Sequence, residues 1–262
     1  MGPRRRAPAG ALSSRSRARP RRLKRPRSLT DIDRVVAGLL AVACAAAIVA
    51  VATGQFWRIR DVEIAGTHHV TVDSVVSTSD LVGAQAFTAS ASGARARLLG
   101  LPAVRDARVE IRIPDRALIS LTERVPVLRW TAGTIEWLVD GEGVVFASID
   151  PRAGPAASVT DERGPRKAGD RIDPALVDAA LKLTRLGPQE LRPDATSARV
   201  ILTAGGTGLV LRVAAGWEIR FGGAERIDDK IALARRYLRD NPQRKLDYVD
   251  VRTPDSIVVS PA

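Results

Sequence analysis

Residues 101–130 read LPAVRDARVEIRIPDRALISLTERVPVLRW, and their alternation sets the fold class. From Ala107 onward, Val109, Ile111 and Ile113 fall on one side while Arg108, Glu110 and Arg112 fall on the other, the period of a strand with one buried face. Pro114-Asp115-Arg116 supplies the turn, after which Ala117, Ile119 and Leu121 resume the alternation against Ser120 and Thr122. Such a pair of strands has an apolar face that other elements must cover.

The cover lies upstream. Thr71-Val-Asp-Ser opens a helix with a capping residue, a second helix is predicted from Ala94 to Leu101 before Pro102, and AQAFTASASG at 84–93 reads as their connector. Before them, Val62 and Ile64 share one face of a short strand that Gly66 ends. Strand, helix, helix, strand, strand is an α+β order in which two helices cover one face of a three-stranded sheet.

Further upstream, residues 35–57, VVAGLLAVACAAAIVAVATGQFW, contain no charge. A helix of that length reaches about 34 Å, enough for a hydrocarbon core of about 30 Å, and Phe56 and Trp57 fall where interfacial aromatics anchor such a helix. The run exceeds the apolar core of a cleaved signal peptide, so an uncleaved membrane helix is expected. Ala37, Ala41 and Ala45, beside Gly38, form a small-residue stripe along it. Residues 1–34 hold 12 Lys and Arg against Asp31 and Asp33, so +10 of the chain's +12 sits there. The positive flank stays cytoplasmic and the remainder is exported. The basic tract lacks interleaved aromatics, which argues for a disordered tail setting topology and touching anionic lipid, with no nucleic-acid partner.

Downstream, Trp137-Leu-Val-Asp140-Gly-Glu-Gly143-Val-Val-Phe146 reads as two strands around a glycine turn, and residues 150–172, rich in Pro, Gly and charge, as a mobile loop. Asp173 caps a helix that starts on Pro174 and ends before Gly187-Pro188. Strands are expected at 198–203, 208–213 and 217–221, then a helix over 224–239 with Ile227, Ile231, Ala234 and Leu238 on one face. Lys245–Arg252 and, beyond Pro254-Asp255, Ser256–Ser260 close the chain as strands.

The phrase Leu101-Pro-x-Val104-x-x-Ala107-x-Val109, then Pro114, then Glu123-Arg124-x-Pro126-x-x-x-Trp130, resembles the FtsQ/DivIB cell-division family, whose POTRA domain follows a single membrane helix. Tyr248-Val-Asp-Val-Arg252 resembles that family's C-terminal signature, and the Ala-rich, Arg-rich composition has an actinobacterial character. The resemblance implies a basic cytoplasmic tail (1–34), a transmembrane helix (35–57), a POTRA domain of β-α-α-β-β order (58–127) and a β-rich domain with two helices (128–262). It further implies a single-pass type II protein of the cytoplasmic membrane, concentrated at the division septum. Its role would be a scaffold binding small bitopic FtsB/FtsL-like partners and FtsW/FtsI-like proteins. An alternative is a POTRA-bearing polypeptide-transport or chaperone-like component, though no long series of alternating strands of barrel type follows the module.

Catalytic chemistry is not expected. His68 and His69 are adjacent in a turn, where alternate orientation opposes joint metal ligation, and they read as solvated loop residues. Gly205-Gly206-Thr207-Gly208 lacks a Walker lysine and reads as a hairpin turn. No serine stands in a nucleophile elbow, Asp140 and Asp250 sit in strand-turn phrases suited to backbone bonding, and Cys44 lies mid-membrane without ligand neighbours. No cofactor, metal or small-molecule substrate is therefore expected. Contacts are left, and the last strand offers a sheet edge for β-addition; the resemblance implies Arg252, Thr253, Ser256, Val258 and Ser260 as the partner-facing set, with Arg252 positioned to meet a partner carboxylate.

Overall fold

The computed structural model describes residues 31–52, 54–148 and 154–261. Residues 1–30 of the basic leader and the start of the 150–172 segment lie outside them. The chain divides into two units, Met1–Ala52 and Thr53–Ala262.

In the first unit, α1 (Asp31–Ala52) is apolar on every side from Val35 onward, and its residues 32–51 are exposed. A helix with no polar face suits lipid better than water. Among the described residues it is the one helix long and apolar enough to cross a membrane. It stops at Ala52, and Gln55–Trp57 of the uncharged run forms a 3-10 turn in the second unit.

The second unit opens with the expected order: β1 (Asp61–Ala65), α2 (Val72–Ser79), α3 (Ala91–Leu98), β2 (Val104–Arg112) and β3 (Arg116–Glu123). Thr71 Oγ1 accepts from Ser74 N at 3.2 Å and caps α2. α3 starts three residues earlier than predicted, because Ser90 Oγ accepts from Gly93 N at 3.0 Å and nucleates the helix inside what reads as connector. β3 is central, parallel to β1 and antiparallel to β2. Val75, Leu81, Leu98, Ala107 and Ile119 form the core between helices and sheet.

A nine-stranded sheet follows, built from β4 (Pro126–Ala132), β5 (Ile135–Asp140), β6 (Val145–Phe146), β7 (Ser158–Asp161), β8 (Ala198–Leu202), β9 (Leu209–Val213), β10 (Glu218–Gly222), β11 (Tyr248–Asp250) and β12 (Val258–Ser260). Pro126 and Val127, which the sequence places at the end of the first exported module, open β4. Two helices, α4 (Pro174–Thr184) and α6 (Ile227–Asp240), pack into the same core, with a four-residue α5 (Pro188–Leu191) between them. Asp173 Oδ1 caps α4 by accepting from Ala175 N at 3.0 Å. The four apolar positions predicted for α6 are all buried, and Lys230 is buried beside them with Nζ donating to Gly223 O at 3.0 Å. Burial pushes the Lys230 amine below its ordinary value, the charge of Glu225 opposing that shift.

The 150–172 segment is corrected by β7. In place of a loop throughout, Ser158–Asp161 inserts parallel between β4 and β8, in the interior of the sheet. Its four residues are too few to show a period, and their Ser, Thr and Asp hide a strand of which Val159 and Asp161 are the buried pair.

The two modules of this unit meet on a salt-bridged seam. Arg124 Nη1 donates to Asp140 Oδ2 at 2.7 Å and Glu142 Oε2 at 2.9 Å, while its Nε donates to Pro102 O at 3.1 Å; Arg105 reaches Glu142 at 2.8 Å. Ala103, Leu138 and Phe146 pack beside it. His69 is not a solvated loop residue. It is half-buried, its Nδ1 lies 2.9 Å from Ser148 Oγ, its ring meets Phe146 edge-on, and its backbone N–H donates to Glu123. Replacing Arg124 by alanine leaves the buried Asp140 carboxylate without its cation, which is expected to cost about 1.5–3 kcal/mol. Faster hydrogen exchange at residues 138–146, with β10–β12 unchanged, is the check.

Candidate partner-binding edge at the C-terminal strand

β11 is held on both sides. It runs parallel to β10, with Glu218 opposite Tyr248 and Arg220 opposite Asp250, and antiparallel to β12, with Tyr248 opposite Ser260 and Asp250 opposite Val258. Among the described residues β12 has no neighbour beyond it and forms one edge of the sheet. The edge is short and ends at Pro261, features that limit uncontrolled pairing.

The ladder bonds settle which backbone groups point outward. Glu218 N donates to Asp247 O at 3.1 Å and Val251 N to Arg220 O at 2.9 Å, so Val249, between them in β11, faces β10. Alternation turns Tyr248 and Asp250 toward β12, making Tyr248–Ser260 and Asp250–Val258 the bonded pairs, and Ser260 O also accepts from Asp247 N at 3.0 Å. Val259, opposite Val249, is left with its N–H and C=O toward the open side. Its side chain, with that of Ile257, packs on the core, whereas Val258 is 58% exposed.

Arg252, Thr253, Ser256 and Val258 come together, with Asp250, around an open depression of about 320 Å³ at the head of β12. Ser260 lies at the other end of the strand, its Oγ 3.5 Å from Pro261 O. Ser256 and Ile257 precede the strand proper, which begins at Val258, and Ser256 N closes the turn by donating to Thr253 O at 3.3 Å.

Arg252 is already engaged within the chain. Its Nε lies 3.0 and 2.9 Å from the two oxygens of Asp250 and its Nη2 2.8 Å from Oδ2, and the Asp250 carboxylate raises the guanidinium pKa further. Nη1 is the group left without a partner among the described residues. The stem of Arg252 crosses Gly222, whose φ of +75° and contact with Arg252 Cγ both require the absence of a Cβ. A second clamp, Arg226 to Asp255 at 3.3 Å and to Asp229 at 2.7 Å, ties the β11–β12 turn to the start of α6.

The solvent face beside the edge is a charged ladder. Arg212 lies 3.4 Å from Glu218, Glu218 lies 2.8 Å from Arg220, and the Arg220 guanidinium sits 3.7 Å above the Tyr248 ring. Asp250 and Val259 are the members of the site that sequence reading missed. The Asp-x-Arg spacing of 250–252 was available as a signal. The outward backbone of Val259 was not, because side-chain period does not reveal which neighbour a strand bonds.

Comparisons with known proteins agree with this architecture. A family model described as "POTRA domain, FtsQ-type" matches residues 57–124. The protein named "Cell division protein FtsQ" from Chloroflexus aggregans is 30% identical over 224 residues, covering 84% of this chain and 79% of that one. The protein of the same name from Streptomyces coelicolor is 28% identical over 259 residues, covering 94% of this chain and 95% of its own, and that of Chloroflexus aurantiacus is 28% identical over 221 residues, covering 84% and 79%.

Proposed function

Because the chain belongs to the FtsQ family of cell-division proteins, we propose that it is a non-catalytic scaffold of the division complex, recruiting FtsB/FtsL-like bitopic proteins by strand addition to β12. The observation that carries this reading is the open side of β12, where Val259 offers a main-chain donor and acceptor beside a depression lined by Arg252, Thr253, Ser256 and Val258. Backbone pairing supplies affinity, and the side chains of Val258 and Ser260 supply selection. Arg252 acts through Nη1 and through a preformed pair with Asp250, so a partner group meets a guanidinium whose orientation is already fixed.

The excess of Lys and Arg ahead of α1 supports a cytoplasmic leader and exported modules, with FtsW/FtsI-like proteins as further neighbours at the septum. A photo-crosslinker at Ser256 or Ser260 in the full-length protein tests the reading. The expected product is an adduct with a small bitopic membrane protein, and depletion is expected to give unseparated cells. Normal septation after depletion, or adducts only with proteins outside the division complex, would overturn it.

A further inference from the structure

The loop between α2 and α3 is bound to the segment that leaves the membrane helix. Gly83 N donates to Ile59 O at 2.8 Å, Ile59 N to Ala84 O at 2.9 Å and Ala86 N to Trp57 O at 2.8 Å, while the rings of Trp57 and Phe87 lie 4.7 Å apart. The β2–β3 turn joins the same segment through Arg60 N, which donates to Asp115 O at 2.8 Å. Phe56 is four Cα steps from Ala52, the end of α1, a tether of at most about 14 Å. A tether of that length lets Phe56 reach the headgroup zone, which adds roughly 5–8 Å to each side of the hydrocarbon core.

The rim is also the wrong surface for water. Phe56 is 65% exposed, Val82 54%, Phe87 55% and Ile113 57%. Residues 81–94 include no Asp, Glu, Lys or Arg, although such residues make up 27% of the chain. Arg58 and Arg60 flank the apolar group and are exposed. Apolar and aromatic side chains bordered by arginine match the boundary between acyl chains and anionic headgroups.

We propose that this rim is a lipid-binding surface: Phe56, Val82 and Phe87 enter the outer interface of the bilayer, with Arg58 and Arg60 among anionic headgroups, giving the exported part a second footing beside α1. The footing rests on the reading of α1 as a membrane anchor.

The test uses the full-length protein in vesicles of phosphatidylethanolamine and phosphatidylglycerol. Single-cysteine variants V82C, F87C and V125C in a C44S background carry an environment-sensitive fluorophore, as does Cys44 in the unaltered chain. Val125 is exposed just past the far end of β3, about 26 Å of strand from the rim. Nitroxide lipids labelled near the headgroup boundary are expected to quench the probes at 82 and 87 by about half or more and to leave 125 nearly unchanged. F87E is expected to abolish quenching at 82 without changing the circular dichroism spectrum. Unquenched probes at 82 and 87, with Cys44 quenched by deep nitroxide lipids, would overturn the footing and leave the anchor standing, and protection of those probes by a protein in place of lipid would do the same. Equal quenching at 125 would mean that the module lies flat, which also overturns it. An unquenched Cys44 would overturn the anchor and the footing together.

Discussion

Val259→Pro is expected to weaken binding of an FtsB-like extracytoplasmic segment about ten- to a hundredfold while leaving the fold in place. The substitution removes the one N–H in β12 that faces the open edge and sets the proline ring in the path of an incoming strand. An unpaired acceptor on the partner costs about 1–3 kcal/mol, which is a factor of roughly five to over a hundred in affinity. The bonds from β12 to β11 run through Val258 and Ser260, so the sheet keeps them. Titration of the full-length protein in detergent with the labelled partner segment measures the effect. An affinity unchanged by the proline would reject strand addition at this edge.

Val258→Pro is a different experiment, although the two residues are neighbours. Val258 bonds to Asp250 in β11, so proline there detaches β12 and exposes Ile257 and Val259, which pack on the core. Loss of binding in that variant would report a broken edge and not a blocked one. Val258→Lys separates side chain from backbone: it changes the exposed face while keeping the donor, and smaller losses are expected from it than from Val259→Pro.

The contrast also marks how far the sequence could be read. Alternation in 107–122 yields β2 and β3 because one face is apolar and the other polar, and the period of α6 yields its four core positions because the helix lies on the sheet. Cap chemistry at Thr71 and Asp173 locates helix starts to the residue. These signals are local. β7 is stabilised by strands that lie over 25 residues away on either side, and its buried Asp161 is accommodated by Trp130, Arg163 and Arg166. His69 likewise looks solvated until Glu123, Phe146 and Ser148 arrive from distant segments. At the site, neighbours within nine residues bring Arg252, Thr253, Ser256 and Val258 together, and these were legible; the ladder parity that exposes Val259 comes from β10 and was not.

The largest loss of stability is expected from Asp161→Ala, about 3–5 kcal/mol, a substantial part of the 5–15 kcal/mol that holds a typical domain. The Asp161 side chain is wholly buried at the end of β7 and accepts from Trp130 Nε1 at 3.0 Å, Arg163 N at 3.0 Å, Arg163 Nε at 3.0 Å and Arg166 Nη2 at 3.0 Å. Alanine strands a buried indole N–H and two guanidinium groups at once. The side-chain amide of the Asp161→Asn variant still offers Trp130 an acceptor, so a smaller loss is expected from it. Burial by itself would raise the carboxyl pKa, but Arg163, then Trp130 and Arg166, outweigh it and bring it from 3.8 down to about 2. The unfolded chain therefore takes up the proton first: the carboxylate's contribution is whole above 3.8 and disappears as the pH falls through about 2. Urea unfolding followed by tryptophan fluorescence should show stability falling over that acid range in the native chain and a flatter dependence in Asp161→Asn. Equal acid slopes in the two proteins would mean that this carboxylate is not charged in the fold, and that the arginines stabilise β7 by packing alone.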